Sequence, residues 1–303
     1  MTVLGLDTSN YTTSAALYDG VEGANSGRLL EVKPGELGLR QSDALFQHVK
    51  RLPEIVERLL DGRHPELSAV GASTRPRAVE GSYMPCFLAG QSQGQVLAQT
   101  LGVRFYGFSH QQGHLAAVLH QAGRMDLMER TFLAWHLSGG TTELLCVHPG
   151  LQAEKIGGTE DLSAGQLIDR TGQVLGLDFP AGKALDQLAG DVKSRGFPVK
   201  VRDMRFSLSG MENKVREMGT ARTPEETAAF ALACVSRAVE KATEQAKGRY
   251  GDLPVVFTGG VASNRQLRRR MVPLGGIFGP PEYSTDNALG IAVLTYLAEI
   301  QHG

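Results

Sequence analysis

One pattern occurs twice in this chain: a strand, a turn rich in hydroxyls or glycine, and a second strand. Residues 2–6, Thr-Val-Leu-Gly-Leu, read as a buried first strand, interrupted by a polar cluster over 7–13. Extended character returns over 14–18, and Asp19-Gly20 supplies a hairpin turn. The same order recurs near residue 138: apolar residues 131–137, the turn Ser138-Gly139-Gly140, then a strand over 142–147. Two such hairpins in 303 residues predict two lobes of similar topology.

Between and after the hairpins, strands alternate with helices. Apolar residues at helical spacing (Leu45, Phe46, Val49, Leu52, Ile55, Val56, Leu59) predict a helix over 42–60, kinked or divided by Pro53. Further helices are expected over 89–101, from Ser109 onward, over 161–175, from Pro224 and over 287–300. Thr223-Pro224-Glu225-Glu226 has the form of a capping box with proline in the first turn. Strands are expected at 70–73, 103–106 and 254–257. This is an α/β layout, whose ligands bind at the carboxyl ends of strands. No G-x-x-x-x-G-K-[ST] and no G-x-G-x-x-G after a strand is present, which disfavours P-loop and Rossmann sites.

Composition narrows the class further. A 42% apolar fraction supports a sizeable core. A formal net charge of -1 gives no whole-protein electrostatic grip on nucleic acid. Arg265, Arg268, Arg269 and Arg270 form a local basic run, read either as a patch or, more simply, as a solvated helix face. Cys86, Cys146 and Cys234 lie apart in apolar runs and read as buried reduced thiols. Without a signal-like N-terminus or a bilayer-length apolar stretch, a cytoplasmic, membrane-free protein is expected.

The sharpest chemical signal is His110-Gln111-Gln112-Gly113-His114. Histidines four apart on a helix share a face and can bind one metal ion. A metallopeptidase of the H-E-x-x-H kind needs a glutamate beside the first histidine; Gln111 stands there and cannot act as a base. Asp286, in Ser284-Thr285-Asp286-Asn287, offers an anionic third ligand, or on its own a helix N-cap. Two imidazoles and a carboxylate suit iron or zinc. The turns at Asp7-Thr8-Ser9 and Ser138-Gly139-Gly140-Thr141-Thr142 present donors to phosphate oxygens. Their paired occurrence points to a nucleotide between the lobes, with magnesium as an accompanying ion. Gly259-Gly260-Val261-Ala262-Ser263-Asn264 is a third glycine-rich turn that enters a helix. Asp169 and Asp186 are candidate acceptors for ribose hydroxyls or, equally, exposed helix carboxylates.

Taken in order, L-G-L-D-T-S, H-Q-Q-G-H, L-S-G-G-T-T-E-L, A-G-Q-L-I-D-R, L-G-L-D-F-P-A-G, F-S-L-S-G, T-G-G-V-A-S-N-R-Q-L-R and S-T-D-N-A resemble the threonylcarbamoyl-adenosine transferase family of bacterial TsaD type, over nearly the whole chain. The resemblance implies the duplicated actin/sugar-kinase/Hsp70-like (ASKHA) fold with ribonuclease-H-like lobes. The expected division is residues 1–130 plus 290–303 for the lobe with the H-x-x-x-H helix, and 131–289 for the nucleotide-binding lobe. It implies a metal on His110, His114 and Asp286. It places an adenine nucleotide or carbamoyl-adenylate, derived from ATP, on His136, Leu137, Ser138, Gly139, Gly140, Asp169, Gly182, Asp186 and Asn264. Asp7 and Ser9 fall to the catalytic turn. The implied reaction moves threonylcarbamoyl from its adenylate to adenosine 37 of tRNA, with a TsaB-like protein partner. The neighbouring readings are a carbamoyltransferase with a non-tRNA acceptor and a non-catalytic nucleotide- and metal-binding paralogue.

The chain departs from the family pattern where ionisable residues are expected. The opening E-T-S-C-D-E-T is Asp7-Thr8-Ser9-Asn10-Tyr11-Thr12-Thr13, without the acidic pair. The histidine of S-G-G-H-T is Thr141, and the glycine-proline-glycine turn is Arg75-Pro76-Arg77. Of a Glu, an Arg and a His in the region 42–48, only His48 is kept. Gln112 and Gln166 stand where the family has glutamates. Ligand-holding residues persist while ionisable ones are replaced, as in a diverged paralogue.

Overall fold

The computed structural model of the chain describes residues 1–9, 11–32, 38–280 and 288–302, apart from the side chain of Thr220. They fall into two units, Met1–Met125 with Thr285–Gly303, and Asp126–Ser284.

The first unit is built on five strands: β1 (Thr2–Thr8), β2 (Thr12–Tyr18), β3 (Gly23–Leu29), β4 (Leu67–Arg75) and β5 (Arg104–Ser109), in the order β3-β2-β1-β4-β5. The first three form an antiparallel meander, and β4 and β5 run parallel to β1. The polar cluster does not end β1 at residue 6. The ladder continues through Asp7↔Ser14 to Thr8↔Thr13 because other elements satisfy these buried polar side chains. Thr8 Oγ1 donates to the Cys86 carbonyl (3.0 Å) and accepts from Gly90 N–H (3.1 Å), while Thr13 Oγ1 meets His48 Nδ1 at 2.8 Å.

Helix α1 (Gln41–Leu60) runs unbroken through Pro53. The proline withholds a hydrogen bond from Val49, and both residues lie on the exposed face, where water can serve that carbonyl. Its buried face (Leu52, Ile55, Leu59) packs on Leu4, Leu6, Ala15 and Leu17 of the sheet. Helix α2 (Leu88–Leu101) follows β4, and α3 (His110–Gln121) follows β5 directly.

In the second unit the meander recurs as β6 (Phe132–Leu137), β7 (Thr142–His148) and β8 (Gln152–Thr159). The two-residue β9 (Arg205–Phe206) pairs with β8, and β10 (Val255–Thr258) and β11 (Gly276–Phe278) run parallel to β6. The order β11-β10-β6-β7-β8-β9 repeats that of the first sheet, with β9 added at one edge. Helices α4 (Ala164–Val174), α5 (Gly182–Ala189), α6 (Ser209–Ala221), α7 (Pro224–Tyr250) and α8 (Arg265–Met271) complete it. The capping box read at Thr223 and Glu226 is formed. The core gathers Trp135, Leu137, Leu144, Phe206 and Phe257 with the small-residue stripe of α7 (Ala231, Cys234, Ala238, Ala242). All three cysteines are buried and unbridged. Sequence reading did not anticipate β3, β8, β9, α5, α6 or β11.

The last helix, α9 (Ala288–His302), returns to the first unit and packs on β1, β4 and α3. A Cβ on its Gly290 would sit 1.9 Å from the Gly113 carbonyl, so only glycine allows this crossing. Gly113, between the two histidines, thus belongs to the contact that seats α3. Among the described residues no helix is long and apolar enough to cross a membrane.

Candidate active site

In each unit, polar residues gather at the carboxyl ends of the parallel strands. In the first unit these are Asp7 and Thr8 at the end of β1 with Ser9 after it, Ser73 in β4, and Ser109 at the end of β5 with His110 opening α3. Ser109 caps α3: its hydroxyl accepts from Gln112 N–H (3.1 Å), and Gln112 Oε1 accepts from Ser109 N–H (3.0 Å). The cap fixes the first turn of the helix and therefore His110. The His110 and His114 rings meet edge to face with centroids 4.4 Å apart. His110 Nδ1 lies 3.2 Å from Asp7 Oδ1, which also accepts from the Ser73 hydroxyl. Asp7 is 1% exposed. Burial pushes its carboxyl pKa up, but His110 and the hydroxyls of Ser73 and Ser9 outweigh it and hold the pKa below its usual value. Ser9 is buried beside it. Gln111 is buried, with its backbone N–H on the Pro76 carbonyl (3.1 Å).

Two imidazoles on one helical turn, one of them bonded to a buried carboxylate, form a donor set that fits a borderline metal such as zinc or iron. Asp286 lies outside the described residues. Among those described, no group of three His, Cys, Asp or Glu side chains converges as a ligand set.

His48 escaped sequence reasoning as more than a family remnant. It is fully buried in α1, with Nε2 lacking a hydrogen-bond partner among the described residues. Burial lowers its pKa to about 4 from 6.5, although the Asp7 carboxylate and the Ser9 backbone favour the charged ring. Unfolded, the ring takes a proton near pH 6.5; folded, only near 4. The unfolded chain therefore binds the extra proton between these values. Stability is expected to fall by about 2–3 kcal/mol as pH drops from roughly 6.5 to roughly 4. Urea unfolding at pH 7 and pH 4.5 checks this: His48→Asn should lose that part of the slope, and an identical slope in both proteins would refute it.

In the second unit, His136, next to last in β6, pairs with Thr258 of β10. Thr258 Oγ1 donates to the Trp135 carbonyl (3.0 Å), so His136 Nδ1, 3.0 Å away, must be the donor to that oxygen. Leu137 is buried, and Gly139 and Gly140 are exposed. The turn after Leu137 is closed by Ser138, whose N–H donates to the Thr141 carbonyl (2.8 Å) and whose hydroxyl accepts from Thr141 N–H (3.1 Å). The start of α4 is locked onto this turn. The Ser163 hydroxyl donates to the Gly139 carbonyl (2.7 Å), and Ala164 N–H donates to Thr142 Oγ1 (2.7 Å). Gly259, at φ +87°, passes so close to the Leu137 carbonyl that a Cβ would lie 2.3 Å from it, which brings the third glycine-rich turn against the second.

The remaining residues named from sequence are held in two ways. Asp169 accepts from Ala181 N–H (2.9 Å), and burial raises its pKa against that bond. Gly182 opens α5, and a Cβ there would make only an ordinary contact, 3.9 Å from Ile168 Cγ2. Asp186 is already engaged, by Asn264 Nδ2 (2.7 Å) and Arg265 Nε (2.8 Å). Asn264 also caps α8 through Leu267 N–H (2.9 Å). The arginine run is a paired helix face: Arg265 with Asp186, Arg269 with Asp191 (3.0 Å), Arg270 with Glu240 (2.7 Å), and Arg268 on the Ala262 and Gly279 carbonyls.

Two apparent losses of active-site acid are structural. Gln112 and Gln166 both sit at the third position of a capping box, under Ser109 and Ser163. A neutral amide fills that role as a carboxylate would. The S-x-x-Q signal stands in the sequence at both places, as Ser109…Gln112 and Ser163…Gln166.

Known proteins share this organisation. A family model described as TsaD, tRNA N6-adenosine threonylcarbamoyltransferase, matches residues 35–293. A tRNA N6-adenosine threonylcarbamoyltransferase of Chloroherpeton thalassium is 30% identical over 98% of this chain and 92% of that protein. One from Thiobacillus denitrificans is 32% identical over 96% and 89%. Among solved structures, component A of the Acidaminococcus fermentans (R)-2-hydroxyglutaryl-CoA dehydratase has a TM-score of 0.60 and 17% identity, covering 99% of both chains. Full-length HypF has a TM-score of 0.65 and 12% identity, covering 100% of this chain and 56% of the other. The fold is the ASKHA type with ribonuclease-H-like sheets, and the chain belongs to the tRNA N6-adenosine threonylcarbamoyltransferase family.

Proposed function

We propose that this chain transfers a threonylcarbamoyl group from its adenylate to N6 of adenosine 37 in tRNA, with a divalent metal held by His110, His114 and Asp286. The observation that carries the reading is the His110–His114 pair, oriented by buried Asp7 at the end of β1, in a chain whose relatives carry that activity's name. Iron or zinc suits this donor set, and magnesium is the ion expected with ATP-derived nucleotide. When bound, the metal supplies Lewis-acid polarisation of an oxygen on the donor substrate.

The chain's own residues divide the remaining work. The exposed Gly139-Gly140 turn, held rigid by Ser138 and Ser163, presents backbone N–H groups to an anionic or acyl oxygen. Asp169, with only the Ala181 N–H on its carboxylate among the described residues, accepts a ribose hydroxyl. Gly182, without a side chain at the start of α5, leaves room for the nucleoside beside Asp169, and Asn264 with Asp186 braces the opposing turn. His136, Leu137 and Ser138 complete the nucleotide-facing strand end. Asp7 and Ser9 act from behind the reacting groups, since both are buried. A TsaB-like partner and a cytoplasmic setting accompany this reading.

Tyr11 and Thr12 stand in place of the family's acidic pair, which favours a second reading, a binding paralogue without transfer. Incubation with ATP, threonine, bicarbonate, the adenylate-forming enzyme, a TsaB-like protein and tRNA separates the two. The expected result is threonylcarbamoyladenosine in the digested tRNA. Nucleotide binding by calorimetry with no modified nucleoside under any metal would end the transferase reading and leave the second.

A further inference from the structure

Asp7 is a costly residue to bury, and its surroundings state what it is for. It lies in the ladder of β1 opposite Ser14, which is fully buried, with Ser73 of the adjacent strand donating to Oδ1. The same oxygen lies 3.2 Å from His110 Nδ1. A neutral imidazole carries one proton. Were it on Nε2, the Nδ1 lone pair would face the carboxylate oxygen, and a buried anion would lose one of its few donors. Nδ1 must therefore carry the proton and donate it, which leaves the ring's lone pair on Nε2. The ring is fixed from three sides: the Ser109 cap sets its turn, Phe87 packs at 5.9 Å between centroids, and His114 lies at 4.4 Å.

We infer that Asp7 is a positioning residue that holds His110 as the Nδ1–H tautomer, so that Nε2 is the nitrogen offered to a divalent cation. This rests on the reading that His110 and His114 hold the metal. It assigns Asp7 to orientation of a ligand rather than to proton exchange with substrate. The strand extension through Asp7 and Thr8 then has a purpose, since a carboxylate on a flexible turn could not fix a ring to one tautomer.

The metal-free, ¹⁵N-histidine-labelled protein tests the assignment without any activity. Long-range ¹H–¹⁵N spectra at neutral pH, assigned with His110→Ala, should show His110 protonated at Nδ1 with a pyridine-type Nε2. The opposite tautomer, or an even mixture, would overturn the inference. Asp7→Asn keeps the shape and removes the charge. It should blur the tautomer preference and weaken Zn²⁺ binding about 10–100-fold in a chelator competition. Wild-type protein that binds Zn²⁺ no better than Asp7→Asn overturns the positioning role alone. Wild-type protein that binds no Zn²⁺ at all removes the metal reading and this inference with it. The wild-type spectrum needs no variant at Asp7, so a misfolded Asp7→Asn protein would not block the test.

Discussion

His110→Ala is expected to lower threonylcarbamoyl transfer by about 10²–10³-fold while leaving the protein folded. The magnitude follows from the role. A metal that polarises a reacting oxygen contributes several kcal/mol to the transition state, and each 1.4 kcal/mol is about a factor of ten in rate. Folding should be spared because the ring is part-exposed and opens α3 rather than filling a core. The measurement is single-turnover transfer to tRNA alongside bound-metal content. A variant that keeps full activity, or keeps stoichiometric metal, would remove His110 from the ligand set. His114→Ala should behave alike, with a larger stability cost because that residue is 6% exposed.

Trp135→Ala is expected to destabilise the second unit by about 3–5 kcal/mol. Trp135 is among the largest fully buried side chains, packs at 6.3 Å from Phe206 and donates from Nε1 to Thr243 Oγ1 at 2.9 Å. Truncation leaves a cavity and withdraws a donor from a buried hydroxyl at once. Its backbone carbonyl also holds Thr258, which in turn holds His136, so the strand ends that carry the nucleotide residues should loosen with it. Chemical denaturation gives the stability change, and nucleotide affinity gives the functional one. A loss below about 1 kcal/mol would show that the site tolerates the cavity and that this core does not hold the strand ends.

Much of the layout was legible because it rests on local rules. The capping box read at Thr223 marks a helix start by backbone chemistry, and it forms. Helical spacing of apolar residues found α1, and glycine-rich strand exits pointed to both strand-end clusters. Local rules also misled. The polar cluster seemed to end β1 at residue 6, and Pro53 seemed to break α1; β4, α1 and the turn before α2 supply hydrogen bonds to the first, and solvent exposure excuses the second. Glutamine at 112 and 166 looked like lost acid when each completes a capping box, under Ser109 and Ser163.

By itself the sequence determined element types, the two repeated hairpins, the i,i+4 histidine pair and the family, since each depends on residues near one another in the chain or on their order. Only the tertiary structure decided what stands beside those residues: that Asp7 meets His110, 103 positions away, that Ser73 donates to the same oxygen, and that His48 is sealed from water. Tautomers and perturbed pKa values arise from burial and from partners brought together by sheet register. Those are set by the packing of the whole unit, and no local pattern of residues encodes them.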